Sequence, residues 1–203
     1  MQILRSAAYR RMPWKNGGGE TFEIAVSPSH ATFENLDWRV SVARVTQDGP
    51  FSLLPDIDRT LCVLDGPGLA LDFGADTGTR RVTPAAAPLP FAADQPLHAR
   101  ILGGAITDLN VMTRRSRYRH TVRSLPLDTA QTFGCAADHL FVFCVRGNVA
   151  VTIGAHAAVL LDARDSARVD DAQDAGPICV AAARPQDSAV YLIEIFHIAA
   201  RIP

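Results

Sequence analysis

The side chains with most chemistry to offer in this sequence are polar, and they match no metal or nucleophile motif. Lys15 presents a point charge, and Arg39 and Arg59 present planar forks; both suit a carboxylate. Asn16 and Asn110 each carry a donor and an acceptor on one amide, which suits a small amide-like group. Glu23 and Asp108 could orient the cations or accept from a ligand N–H. In Trp14-Lys15-Asn16-Gly17-Gly18-Gly19-Glu20-Thr21, three glycines directly follow the cation and the amide. Lacking Cβ atoms, they let backbone N–H groups approach a ligand closely. The plain alternatives are exposed ion pairs, contributing about 0–1 kcal/mol each, and glycines that serve only tight packing.

Other chemistries find less support. Six histidines stand at 30, 98, 120, 139, 156 and 197. No two are separated by a single residue, as two metal ligands on one strand face would be. No metal and no other cofactor is expected. There is no Gly-x-Ser-x-Gly, and no cysteine has a catalytic context. The glycine run fails as a phosphate cradle, because the lysine precedes the glycines and a strand rather than a helix follows. A net charge of −1 argues against a protein devoted to nucleic acid. The local exception, Arg114-Arg115-Ser116-Arg117-Tyr118-Arg119-His120, reads as a solvated connector or an anion-facing rim. No run of 18 apolar residues suggests a membrane span, and the first residues lack a signal-peptide pattern. Cys62, Cys144 and Cys179 sit in apolar runs and read as buried hydrophobes. The expected location is the cytoplasm, with no nucleic-acid or membrane partner.

The elements that must position these groups are strands. Short apolar runs punctuated by Gly, Pro, Asp and Asn occur near 21–26, 38–46, 60–65, 69–73, 98–103 and 107–112. Others follow near 139–145, 149–153, 157–161, 177–183 and 189–196. Only 30–37 has a turn or two of helical character. Many short strands without helices predict an all-β sandwich or barrel. A strand, glycine turn and strand at 63–71 recurs at 144–151, a rhythm found in cupin-type jelly rolls. Alternation places Thr21, Glu23 and Ala25 on one face of their strand, Arg39, Ser41 and Ala43 on one face of the next, and Asp108, Asn110 and Met112 on one face of a third. Those polar faces are either wet outer faces or the lining of a ligand cavity.

Five stretches together resemble the HutD/Ves family: Met12–Ile24, Trp38–Ala43, Asp48–Pro55, Asp58–Gly66 and Asp108–Arg115. The resemblance implies a bicupin: two jelly-roll β-barrels in one compact chain with little helix, without the usual cupin metal ligands. Its first barrel is expected over 1–115 and its second over 116–203, with N-terminal strands free to cross between them. It further implies an accessory role in bacterial histidine utilisation, sensing a small carboxylate such as formyl- or formimino-glutamate. The Ves branch is linked instead with stress or cold induction. The expected ligand-binding set is Lys15, Asn16, Gly17, Gly18, Thr21, Glu23, Arg39, Ser52, Arg59, Asp108 and Asn110, with no catalytic residue assigned. A metal-independent isomerase or hydrolase using Glu23 or Asp108 as base is the alternative, and a protein-interaction module a third. Exposed edge strands leave a homodimer open.

Overall fold

Runs of Val, Ile, Leu and Thr bounded by Gly, Pro and Asp become strands throughout the computed structural model, which describes residues 1–198. In chain order these are β1 (Gln2–Leu4), β2 (Arg10–Pro13), β3 (Gly19–Ser27), β4 (Trp38–Val45), β5 (Gly49–Pro50), β6 (Ile57–Asp65), β7 (Leu69–Asp72), β8 (Thr79–Val82), β9 (Leu89–Ala92) and β10 (His98–Ile101). Then come β11 (Ile106–Arg114), β12 (Tyr118–Leu125), β13 (Gln131–Phe133), β14 (His139–Arg146), β15 (Val149–Ile153), β16 (Val159–Leu161), β17 (Ser166–Asp170), β18 (Ile178–Ala182) and β19 (Ala189–His197). The helix described is confined to three short 3₁₀ turns at 6–8, 172–174 and 185–187. The helical character expected at 30–37 is not realised: Thr32 and Asn35 close a turn, Thr32 N donating to Asn35 Oδ1 at 2.8 Å. Such side-chain bonds compete with helix formation.

The chain divides into two units, Arg10–Tyr118 and Met1–Tyr9 with Arg119 onward. The division differs from the boundary expected at 115/116. That point falls inside the turn joining β11 to β12, where Arg117 N donates to Arg114 O. The first nine residues belong to the later unit, because β1 pairs antiparallel with β17 and Ser6 N donates to Asp165 Oδ1 at 2.8 Å. The Tyr9 hydroxyl donates to the Arg164 carbonyl at 2.7 Å.

In the Arg10–Tyr118 unit, a six-stranded sheet has the order β2-β3-β4-β11-β6-β9 and a four-stranded sheet the order β5-β10-β7-β8. Val45, Leu61, Val63 and Ile106 of the first sheet pack on Leu69, Leu71, Val82 and Ala99 of the second. This is a sandwich held by apolar burial. The other unit has a five-stranded sheet, β1-β17-β14-β19-β12, and a four-stranded sheet, β13-β18-β15-β16. Leu140, Val142, Val190 and Leu192 pack there on Val149, Val151, Ile178 and Val180.

The repeated sequence unit has a structural counterpart. In each unit a long strand of the larger sheet (β6 or β14) turns at a glycine into a strand of the smaller one (β7 or β15). Gly66 (φ +91°) and Gly147 (φ +77°) make the turns. Neither has room for a Cβ: it would stand 2.5 Å from the Ala105 carbonyl at Gly66 and 2.3 Å from Ser188 Oγ at Gly147. All four cysteines are free, and burial pushes the Cys62 thiol up to about 12 and the Cys144 thiol up to about 11.

The basic segment spans the boundary between the two units, as expected of a connector, but it is not an open rim. Residues 118–125 form strand β12, and the arginines before it are occupied. Arg115 pairs with Asp58 at 2.8 Å and Asp94 at 2.9 Å, and Arg117 pairs with Asp37. Arg114 donates to the carbonyls of Leu36 and Glu34, both at 2.9 Å. Arg114 thereby staples the loop between β3 and β4.

Candidate functional site

The glycine run is the loop of the β2–β3 hairpin. Gly17 N donates to Trp14 O at 3.1 Å and Trp14 N to Gly19 O at 3.0 Å. Gly17 takes φ +70° with open space around its α-carbon, so its need is conformational. Gly19 has the opposite need: a Cβ there would lie 2.3 Å from the Arg44 carbonyl, since β3 and β4 pair closely at this point. Gly18 N is taken by Asn16 Oδ1 at 3.1 Å, and its carbonyl accepts from Thr46 N at 2.9 Å. The expectation that these backbone N–H groups face a ligand is therefore corrected for Gly17 and Gly18, whose N–H groups close the loop itself.

Register places the polar side chains in rows, because residues opposite one another on neighbouring strands share a face. One row is Thr21, Ala43, Asp108 and Val63; the next is Glu23, Ser41, Asn110 and Leu61; the third is Val26, Arg39, Met112, Arg59 and Phe91. A bulge between Glu23 and Ala25 breaks the alternation of β3. Val26, not Ala25, thus shares the face of Arg39, and the assignment of Ala25 to the Thr21–Glu23 face is corrected.

This face borders a cavity of about 580 Å³, which also reaches β5, β10 and the loops before β3, β4 and β6. Lys15, Asn16, Gly18, Thr21, Arg39, Ser52, Arg59 and Asn110 line it. Gly17, Glu23 and Asp108 do not, but the last two hold residues that do. The wall includes further groups that the sequence did not single out as site residues: Trp14, Phe33, Ser41, Gln47, Asp48 and Phe51. Ser41 was reachable, since it alternates with Arg39. Phe33 carries no local signal; it reaches the wall because its loop is folded back and stapled by Arg114.

The two arginines of the third row differ in how they are answered. Arg39 is buried, and its Nε donates to Glu23 Oε2 at 2.9 Å; Glu23 also pairs with Arg10 at 2.8 Å. The ring of Phe33 covers the Arg39 guanidinium at 5.1 Å. Burial lowers the Arg39 pKa, and Glu23 works against that shift. Among the described residues, Arg59 has no carboxylate in contact. Its Nε donates to Asn110 Oδ1 at 2.9 Å, and its Nη2 donates to the same atom. Asn110 Nδ2 in turn donates to Asp108 Oδ1 at 2.7 Å. The Phe51 ring stacks 4.3 Å from the guanidinium. Arg59 keeps part of its surface open to the cavity though protein surrounds it closely. That desolvation lowers its pKa to about 10, with Asp108 opposing and Arg39 reinforcing the shift. It is still a full cation at neutral pH.

Lys15 is exposed at the wall and makes no ion pair among the described residues. Asp48 is the one acid of the described wall, and its Oδ1 accepts from Ile101 N at 2.8 Å. No group of three His, Cys, Asp or Glu residues is placed to hold a metal ion among the described residues. The donor set suits an anion: three cations line the cavity, one of them held by a neutral amide rather than a carboxylate.

Known proteins resemble the chain in sequence and in shape. A family model described as HutD matches residues 6–186. An uncharacterised 21.2 kDa protein in the hutC 3′ region of Pseudomonas putida is 31% identical over 170 residues, 84% of this chain and 87% of that protein. Protein Ves of Citrobacter koseri is 37% identical over 137 residues, covering 66% and 69% of the two chains. The structure of HutD from Pseudomonas fluorescens SBW25, in a formate condition, superposes with a TM-score of 0.83 at 29% identity, covering 98% of this chain and 99% of that one. More distant likenesses show the fold alone. YhhW from Escherichia coli (TM-score 0.64, 12% identity) and a Lactobacillus farciminis oxalate decarboxylase (TM-score 0.64, 8% identity) share the all-β, cupin-like arrangement.

Proposed function

The chain belongs to the HutD family, and from that premise we propose that it is a cytoplasmic, regulatory small-molecule-binding protein whose cavity captures a small carboxylate. The observation that carries this reading is Arg59. Among the described residues three of its five N–H donors are uncommitted and no carboxylate touches it, while Asn110 and Phe51 hold its orientation. A carboxylate arriving there answers a charge that the protein itself answers only at a distance. The cavity volume of about 580 Å³ is that of a small-molecule pocket.

The link to histidine utilisation comes from the family resemblance and from the P. putida relative's place in the hutC 3′ region. It points to formyl- or formimino-glutamate: one carboxylate for Arg59, a second for Lys15, and a small planar group for Asn16 and Ser41. Each unit, two sheets around one core, is read as one jelly roll of a bicupin. A metal-independent enzyme is the second reading. It is disfavoured because its candidate bases are withdrawn from the cavity, Glu23 between two arginines and Asp108 behind Asn110.

A thermal-shift series tests the proposal, with histidine, urocanate, formimino-glutamate, N-formyl-glutamate, glutamate and formate as probes. A formylated or formimino compound should stabilise the fold by about 2.7 kcal/mol at 100 times its dissociation constant. R59A and K15A should remain folded and lose the shift. A full shift in R59A, or none with any probe in the wild type, sinks the reading.

A further inference from the structure

Asp108 does not border the cavity and is only 1% exposed, yet it is joined to Arg59, which does line the cavity, by two hydrogen bonds in series. Asn110 donates to Asp108 at 2.7 Å and accepts from Arg59 Nε at 2.9 Å. The amide between them transmits orientation without neutralising either partner. Resting on the reading that Arg59 receives an anion, we propose that Asp108 makes anion capture proton-linked: the arriving anion draws a proton onto Asp108, and its departure releases that proton.

The reason is competition for one guanidinium. Arg59 is the cation that compensates an ionised Asp108. A ligand carboxylate on Arg59 takes up that compensation and brings a like charge near. A buried carboxylate that loses its counter-charge neutralises rather than stay ionised. The other groups facing Asp108 do not replace Arg59. On β6 the Cys62 thiol is held protonated by burial. On β4 the Ala43 backbone N–H donates to the carboxyl, and on its own strand Asn110 donates. Arg39 acts on Arg59 and is itself answered by Glu23, which Arg10 also holds. On β3 the neighbour in the same row is Thr21. No histidine among the described residues lines the cavity, so no imidazole of the described wall accompanies Asp108.

Burial already lifts the Asp108 carboxyl to about 6 in the ligand-free protein. A further rise of about one unit on binding therefore carries it to neutral pH. The sign follows: binding is tightest while Asp108 is protonated, weakens as pH rises from the free to the bound pKa, and is flat above both. Each unit of rise weakens binding about tenfold across that window.

The experiment is calorimetric titration of N-formyl-L-glutamate into wild type and D108N between pH 5.5 and 8, in two buffers of different ionisation enthalpy at each pH. Asparagine keeps an acceptor for Asn110 and removes the titration. We expect the wild type to take up a fraction of a proton per ligand near pH 6–7 and to bind about tenfold more weakly at pH 8 than at 5.5. D108N should show a flat profile and no uptake. Wild-type binding without proton uptake overturns the linkage and leaves the pocket standing. An unchanged slope in D108N overturns the assignment to Asp108. Absence of binding at every pH overturns the pocket and the linkage together. If D108N does not fold, the Asp108 carboxyl carbon resonance of the wild type, followed with pH with and without the probe, reads the same rise directly; an unmoved midpoint overturns the proposal.

Discussion

Two arginines of similar weight in the sequence carry opposite duties. Arg39 stabilises the sheet face through Glu23, whereas Arg59 is left open. Nothing local distinguishes them, because the difference lies in which strand stands opposite: β4 faces the glutamate of β3, and β6 faces the asparagine of β11. E23A should therefore leave a buried cation without its partner and lower stability by about 3 kcal/mol, measured by urea unfolding. Asp108 predicts a pH effect on stability that is independent of any ligand. Its folded-state pKa lies above the ordinary carboxyl value, so the folded chain keeps a proton that the unfolded chain has lost between about pH 4 and 6. Stability should fall by about 3 kcal/mol as pH rises through that window, other groups being equal, and stay level above it. Urea melts at pH 4.5 and 7 should show about 2 kcal/mol of this fall in the wild type relative to D108N.

At the scale of elements, alternation of apolar and polar residues revealed the strands whose two faces have different surroundings. The polar triplets of β4 and β11 were legible as faces, and the structure turns them toward a cavity. Strands without such contrast were not legible. β8 reads Thr-Arg-Arg-Val, β9 contains a proline, and β12 is dense in charge because it lies at a sheet edge. The bulge in β3 left no mark either, since Ile24 fits both faces by polarity. The hairpin loop offers a sharp comparison. G17A should cost about 1 kcal/mol, the strain of a left-handed conformation alone. G19A forces a methyl group against the Arg44 carbonyl and should cost about 3 kcal/mol, with both losses read from chemical denaturation. Equal costs would mean that the β3–β4 approach is looser than 2.3 Å implies.

At the scale of the whole molecule, one repeated plan is filled in two ways. In the unit from Arg119 onward, Leu140, Val142, Val149, Val180 and Leu192 close on one another with none exposed. In the Arg10–Tyr118 unit the buried apolar residues form two clusters, one around Val45 and Ala99 and one around Leu54 and Met112, and the cavity borders both. L140A should thus cost about 2–5 kcal/mol. A43L, which fills empty space, should leave the melting temperature nearly unchanged and abolish the response to N-formyl-glutamate. The same partition separates the two tryptophans. Trp38 is fully buried, whereas Trp14 lies half-buried in the cavity wall with its indole N–H on Thr21 Oγ1 at 2.8 Å. The molecule therefore carries an intrinsic optical gauge: iodide, drawn to the cations beside Trp14, should quench its fluorescence more than caesium does, and a bound ligand should shield it.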